Sequence, residues 1–433
     1  MKAFLRSVYL TLFSFLVPSE RQGLLIPYSA RDKSKPTNMN NVYNFMRTPS
    51  KGIFGRLLSF LLLVLGSLAS QVAQAQNVQV TATAGTTGPT LYATVSAAFT
   101  AINAGTHQGA ITMRILANTT EPAAPTALTG SISPANYTSV LITPFGGNYT
   151  IGGAATPTAS RAIIELNGAD NVTIDGDDPS VLGNRNLTIA FPSTSATIAA
   201  CIRVSSASTL GANGASNNTI RNCIITGNRS SASTTATYGI NMSNYSATSL
   251  ATGGYSSINN RFENNLITRC YHGIWAVGAS STYPNTGLRI LNNVLGDNTA
   301  AGNIGFRAIL MSNSAVNEAQ SAIISGNQIL GVGDPGTTGY AASIAGIEVG
   351  TSAFGTKIFN NLVQNVKQPS TTGYGAYGVL FSGATSCDSM RFYNNIIQGI
   401  TASNFSASLT TSTNYGVYHS AGSAFGDFSN NTI

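Results

Sequence analysis

Three sets of side chains have types and spacings that could do chemistry. The first follows seven short segments of the form G-[IV]-x-Φ: CIRV, GINM, GIWA, AILM, GIEV, GVLF and GVYH. One residue past the branched anchor stand Arg203, Asn241, Trp275, Leu310, Glu348, Leu380 and Tyr418. Arg203, Asn241, Trp275, Glu348 and Tyr418 are candidate ligand-binding residues, with Trp275 and Tyr418 able to stack on sugar rings. Packing of a loop over the two aromatics is the competing reading. Glycoside hydrolysis needs two carboxylates, and this series offers only Glu348. The second set is basic: Arg261, Arg289, Lys357 and Arg391 each precede an apolar anchor, interrupted once by Ile323. Such a stripe suits an anionic polymer, or else is a solvated face relieved by Glu263 and Asp427. The third is acidic. Asp175, Asp177 and Asp178, near Asp170, form a candidate calcium site, since that cation wants several oxygens. D-G-D-D-P is equally ordinary turn chemistry. No other cofactor is expected.

Other chemistry finds little support. No G-x-S-x-G elbow accompanies the many serines, and no Gly-rich loop carries the lysine of a phosphate cradle. His272 and His419, if in equivalent strands, lie four coils or roughly 19 Å apart. They cannot share a metal. His419 falls two past Val417, an inward position, which favours a core or end-cap role. Cys201, Cys223, Cys270 and Cys387 show no C-x-x-C spacing and read as buried, inert thiols.

These residues need a frame, and the asparagines supply it. NRFENNLITRC, LRILNNVLGDN, TKIFNNLVQNV and MRFYNNIIQGI repeat one pattern. Aligned on the apolar residue two before each pair, the anchors are Ile220, Phe262, Ile290, Ile324, Ile358, Phe392 and Phe428. They are spaced 42, 28, 34, 34, 34 and 36 residues apart. Self-similarity at that period means a repeat architecture. Paired helices could have that period, but the segments alternate with period 2 and are bounded by Gly and Asn. Stacked strands, coil upon coil, are expected.

Buried asparagine is costly unless its polar atoms are paired. In F-Y-N-N-I-I, Phe392 and Ile397 point inward from two strands, so the pair is the corner between them. One Asn can take the left-handed conformation, and the other can turn inward to bond its equivalents in neighbouring coils. The expected ladder is Asn222, Asn264, Asn292, Asn360, Asn394 and Asn430, with Gly326 as one rung. The second residues, Asn265, Asn293, Asn327, Asn361, Asn395 and Asn431, are expected to turn the corner.

This alternation resembles the right-handed parallel β-helix of the pectin-lyase-like superfamily over about residues 160 to 433. GADNVTIDGDDPS (168 to 180) resembles the first regular coil of such proteins, and TVSAAFTAINAG (94 to 105) their N-terminal capping helix. Thr94 fits the N-cap, Val95, Phe99 and Ile102 one apolar face, and Gly105 the C-terminal stop. The expected fold is therefore all-β, a right-handed parallel β-helix (β-solenoid) with a short N-terminal capping helix. The resemblance implies a saccharide groove on the outer face of the G-I-x-Φ strands. Its polygalacturonases carry paired aspartates, G-H-G and R-I-K; only part of the second survives here, in YHGIW (271 to 275). The acidic cluster of its lyases is missing from that column.

With 433 residues, 43% hydrophobic and 9% charged, the chain can bury a core. The net charge of +7 is no sign of nucleic acid. Residues 1–75 hold nine Lys/Arg and two Asp/Glu; the rest holds 13 of each sign. Arg47, Lys51 and Arg56 precede an apolar run (57 to 68) and Ala73-Gln74-Ala75, a signal peptide cleaved after Ala75, with Met46 as the expected true start. That run is too short to span a bilayer. Residues 76–160 are expected to hold the cap and irregular coils, and 161–433 the repeats. The style resembles large surface proteins of Gram-negative bacteria that end in a sorting domain. No such domain is found, and a truncation inside a repeat is expected. The reading is an exported, non-catalytic surface scaffold or adhesin. It is expected to be monomeric, without a transmembrane span after signal removal, to bind polysaccharide or cell-surface glycan, and not to bind nucleic acid. The alternative is a lyase or hydrolase of an acidic polysaccharide.

Overall fold

The computed structural model describes residues 76–180, 185–192, 198–206, 214–228, 237–246, 248–299, 301–315, 317, 321–333, 342–369, 374–383, 387–402, 414–419 and 425–433. The expected leader, the expected cleavage after Ala75 and the expected start at Met46 lie outside them. Each coil contributes three short strands to three parallel sheets, and the stack is a parallel β-solenoid. Sheet 1 collects the strands that run into the asparagine pairs. Sheet 2 collects those that leave them, such as Leu266–Thr268 and Ile396–Ala402. Sheet 3 collects the G-[IV]-x-Φ strands. Among the described residues, sheet 1 has 12 strands, and sheets 2 and 3 have nine each.

The two anchor series are each in register. Ile220, Phe262, Ile290, Ile324, Ile358, Phe392 and Phe428 pair successively in sheet 1. Ile202, Ile240, Ile274, Ile309, Ile347, Val379 and Val417 do so in sheet 3. Their side chains, except that of the exposed terminal anchor Phe428, form one continuous core with those of Ile225, Ile267 and Leu295 from sheet 2.

The asparagine corner differs from the expected one. The left-handed residue is the first of each pair: φ is +57° at Asn222, +52° at Asn264, +55° at Asn292, +57° at Asn360, +54° at Asn394 and +52° at Asn430. Gly326 takes the same position at +68°. The ladder therefore runs along the second residues. Asn265, Asn293, Asn327 and Asn361 each donate from Nδ2 to Oδ1 of the next rung at 3.0 Å, and Asn395 does the same to Asn431. Each Nδ2 also donates to an anchor carbonyl one coil back, as Asn327 does to Ile290 O at 2.9 Å. Each Oδ1 also accepts the backbone N–H of the preceding rung, as Asn361 Oδ1 does from Asn327 N at 3.0 Å. The amide is fully used. The expectation failed because strand alternation was carried through a residue at positive φ, where it breaks. The first Asn is turned outward and the second inward. A shorter file was missed. Asn218 and Asn260, from the pairs in SNNTI and INNRF, are buried where chain enters sheet 1 and are linked by Asn218 N to Asn260 Oδ1 at 3.0 Å.

The N-terminal end is closed. Strand Val78–Gly85 pairs antiparallel with His107–Ile115 and, on its other side, with Thr90–Tyr92, so the edge of sheet 1 is a three-residue strand. Helix α1 (Val95–Asn103) has Thr94 as its N-cap, whose hydroxyl accepts from Ala97 N at 3.1 Å. It buries Val95, Phe99 and Ile102, and Gly105 follows at φ +74°. Glu121 adds a second cap: its buried carboxylate accepts from Val95 N and Ser96 N at 3.0 and 2.9 Å. Parallel pairing begins at Gly109–Ile115 on Tyr137–Pro144, inside the segment expected to hold irregular coils. Among the described residues, no helix is long and apolar enough to cross a membrane.

Replacing Asn327 with Ala strips partners from two buried neighbours at once, each worth about 1–3 kcal/mol when left unpaired. Asn360→Gly, at the outward position where glycine accepts positive φ, should cost well under that. Denaturant midpoints of the two variants check this. Equal losses would contradict the assignment of the two files.

Candidate functional site

The outer face of sheet 3 is shaped by an irregularity in the G-[IV] step. Register pairs connect each anchor and the residue two before it, while Ile163, Cys201 and Ala308 between them lie in the core. Glycine recurs at this position. A Cβ on Gly239 would meet Gly273 O at 2.5 Å and Ile267 Cγ2 at 2.7 Å. The residue two before the anchor is thus brought to the same face as the one after it. Two outward files result, not one. The second contains Tyr238, His272, Arg307, Ala345, Tyr377 and Tyr415 in successive register. Reading positions two before each anchor would have found it, Arg307 included.

The first coils of this face are covered, which corrects the placement of two expected ligand-binding residues. Arg203 and Asn241 are both 0% exposed. Arg203 donates to the carbonyls of Ser160, Asn244 and Ser246 at 2.6, 2.6 and 3.1 Å. Asn241 Nδ2 donates to Leu250 O at 2.9 Å, and its Oδ1 accepts from Ser243 Oγ at 2.6 Å. Chain following strand Thr237–Asn244 folds back over the face, and Leu250 packs against Ala162, Ala200 and Tyr238. Both polar side chains hold that chain in place. Glu165, in the same file, is also buried and is paired with Arg161.

Beyond the covered coils the face carries two aromatic groups. In the first, the His272 ring lies 4.7 Å from Tyr238, stacked, and 4.6 Å from Trp275. Burial, and then Arg307 beside it, hold His272 well below its ordinary pKa, so the imidazole is neutral. His272 Nδ1 and Trp275 Nε1 have no protein partner among the described residues. The second group is Tyr377, Tyr415 and Tyr418. Tyr377 and Tyr415 stack in parallel at 5.7 Å, and Tyr418 lies 4.9 Å from Tyr415. All but the buried Tyr377 are half-buried. Between the groups Arg307 forms an ion pair with Glu348, whose other oxygen accepts from Ser382 Oγ at 2.9 Å. Expected candidates Trp275, Glu348 and Tyr418 are half-buried on this face, beside the buried His272, Arg307 and Tyr377.

His419 does not fill a core position. It is exposed and packs against Phe381 and Phe425 at the last strand of sheet 3. His272 and His419 lie in different files.

The basic residues stand elsewhere. Arg261, Arg289, Lys357 and Arg391 form one outward file on sheet 1, with Ile323 between Arg289 and Lys357 and Asp427 after Arg391. Arg261 is paired with Glu263. Burial, and then Arg261, hold the Arg289 guanidinium below its usual range, and its Nη1 donates to Ser321 O at 2.9 Å.

The aspartates do not converge on a cation. Asp175 accepts from Arg221 Nε at 2.8 Å and Asn222 Nδ2 at 2.9 Å. Asp178 turns to N–H and O–H donors: Gly146 N, Gly147 N and Ser180 N at 2.7, 2.8 and 2.7 Å, and Ser180 Oγ at 2.5 Å. The Asp177 backbone N–H donates to Asp175 Oδ1 at 3.2 Å, and burial with Asp175 nearby pushes its carboxyl up. Among the described residues, no group of three or more His, Cys, Asp or Glu is gathered to hold a metal. All four cysteines are buried, and none is in a disulfide.

No protein-family model matches the chain, and no curated protein matches it. Among solved structures it is similar to the A-module of a mannuronan C-5 epimerase from Azotobacter vinelandii. That match has 13% identity over 77% of this chain and 94% of that one, with a TM-score of 0.31. A likeness at that level says nothing about activity.

Asp178 yields a pH prediction. Burial alone would raise its carboxyl, but the bonds from Ser180, Gly147 and Gly146 outweigh it and leave it below the usual aspartate range. The charged form is therefore favoured by folding, and its stabilisation is present above about pH 4 and lost as pH falls through the folded value. Asp178→Asn should lower the unfolding midpoint at pH 7 and flatten its fall between about pH 4 and pH 2. An unchanged acid limb in the variant would contradict the assignment.

Proposed function

We propose that the solenoid is a non-catalytic, carbohydrate-binding module of the pectin-lyase-like kind, carried by an exported surface scaffold or adhesin. The carrying observation is the outer face of sheet 3. Two aromatic groups, Tyr238/His272/Trp275 and Tyr377/Tyr415/Tyr418, flank the Arg307–Glu348 pair. Aromatic rings offer apolar faces to the C–H faces of sugars, and the ion pair offers donors and acceptors to hydroxyls. The unpartnered Trp275 Nε1 and His272 Nδ1 add polar atoms that water or hydroxyl groups would satisfy.

Catalysis finds less support on the same face. Its two carboxylates, Glu165 and Glu348, are five register steps apart, roughly 24 Å at sheet spacing. Paired glycosidase carboxylates sit within about 5–10 Å. Glu348 is moreover tied to Arg307, and His272 is buried and neutral. Export to the outside of a Gram-negative bacterium, a monomeric state and the absence of a nucleic-acid partner complete the reading. Export and the nucleic-acid reading rest on the leader and on the even charge of the chain that follows it.

Glycan-array binding with a reducing-end assay tests this. The purified protein should bind a defined saccharide class without cleaving it. Tyr415→Ala with Tyr418→Ala should weaken binding about tenfold, or about 1.4 kcal/mol. Release of unsaturated oligosaccharides would replace the proposal with a lyase.

A further inference from the structure

The outer face of sheet 3 holds one titratable ring packed among other rings. His272 is 4% exposed. Tyr238, from the coil before, stacks on it at 4.7 Å with planes 26° apart. Trp275 meets it edge-on at 4.6 Å, Tyr271 at 4.8 Å and Phe306 at 5.6 Å. In the next coil Arg307 occupies the same place in the file. The titratable and charged groups that face the ring are therefore two phenols, of Tyr238 and Tyr271, and one guanidinium. The carboxylate that could offset a charge here, that of Glu348, lies one coil further on and is paired with Arg307. Nδ1 of His272 is buried without a protein partner among the described residues. A neutral imidazole tolerates this, because one of its nitrogens carries no proton. An imidazolium carries N–H on both. Nδ1 would then be a buried donor without an acceptor, near a second cation.

We propose that His272 is an acid-operated latch: on protonation its ring leaves the slot between Tyr238 and Trp275 for water and bares the faces of those two rings. Its packing supports this direction. Burial, and then Arg307, hold the imidazole well below its ordinary pKa, so the closed slot favours the neutral ring. The slot is therefore most stable above about pH 6.5, the ordinary histidine value. It weakens as pH falls from there through the lower value of the packed ring. Burial raises the phenols of Tyr238 and Tyr271, so neither gains a charge over that range. The movement needs only a side-chain rotation and leaves strand His272–Val277 paired with both neighbours. One consequence rests on the reading of sheet 3 given above. The first aromatic group is filled by its own histidine at neutral pH and is open to a ligand in acid.

Trp275 is the only tryptophan in the chain, so its emission reads the slot directly and needs no saccharide. The test follows emission and acrylamide quenching of the purified protein from neutral pH into acid, with far-UV circular dichroism as the measure of overall fold. Emission should shift and quenching should rise, reversibly, at a midpoint below about pH 6.5 and before the circular dichroism changes. His272→Phe keeps a ring in the slot but cannot ionise, and should abolish the step. Arg307→Gln removes the nearby cation and should move the midpoint up by at least about half a pH unit. A merely structural role for the ring would not produce that shift. A step retained in His272→Phe, a midpoint unmoved in Arg307→Gln, or emission that stays constant until the fold is lost would overturn the latch. An intact emission step with no saccharide bound at any pH would uphold the latch and remove the function proposed for sheet 3.

Discussion

Hydrogen bonding between successive coils is the constraint on which everything else depends. Each strand has its backbone partners in the coils before and after it, so no coil can shift along its neighbours without losing a ladder. Once coils are in register, equivalent residues must lie over one another. A buried asparagine then meets an asparagine, whose amide has the donors and acceptors that its own amide lacks. The file from Asn265 to Asn431 uses this fully, with both Nδ2 hydrogens and both Oδ1 lone pairs engaged through its interior. A single such asparagine in a unique core would be a liability. Repetition turns it into a pin for the corner.

The same register acts on the surface without regard to cost. It stacks Arg261 on Arg289 and Lys357 near Arg391, where like charges repel; Glu263 pairs with Arg261, and Asp427 follows Arg391 in register. It also stacks Phe359 on Tyr393 and Tyr377 on Tyr415, where contact is favourable. Ordered arrays of rings and cations on two separate sheets follow from one backbone arrangement. Variable loops then decide which arrays stay open. On sheet 3 the chain around Leu250 closes over Arg203 and Asn241, while Trp275, Glu348 and Tyr418 in later coils are half-buried.

Legibility in the sequence followed the same division. The anchors from Ile220 to Phe428 and from Ile202 to Val417 were readable because apolar alternation and a period near 34 residues are local signals, and the register they imply is the one observed. The cap of α1 was readable from Thr94 and its apolar spacing. The corner was located correctly, but its two asparagines were exchanged, since alternation does not survive a left-handed residue. Arg307 was missed for a related reason: the irregular G-[IV] step puts residues three apart on one face, which strict period 2 forbids. Arg203 and Asn241 were misplaced because their burial depends on where a long loop folds back, and nothing in the strand pattern encodes that. The segment holding the asparagines, read as a corner between two strands, has those strands in two different sheets.

The most direct measurement of the account is a distance between spin labels on Arg261→Cys and Arg391→Cys, with the buried native thiols left unlabelled. These positions are 130 residues apart in sequence but four register steps apart in one file. Stacked coils predict a narrow distribution centred near roughly 19 Å between backbone positions. Paired-helix repeats, with axes about 10 Å apart, would put the labels near 40 Å. That longer distance, or a broad distribution without a peak, would contradict the stacking on which both proposals rest.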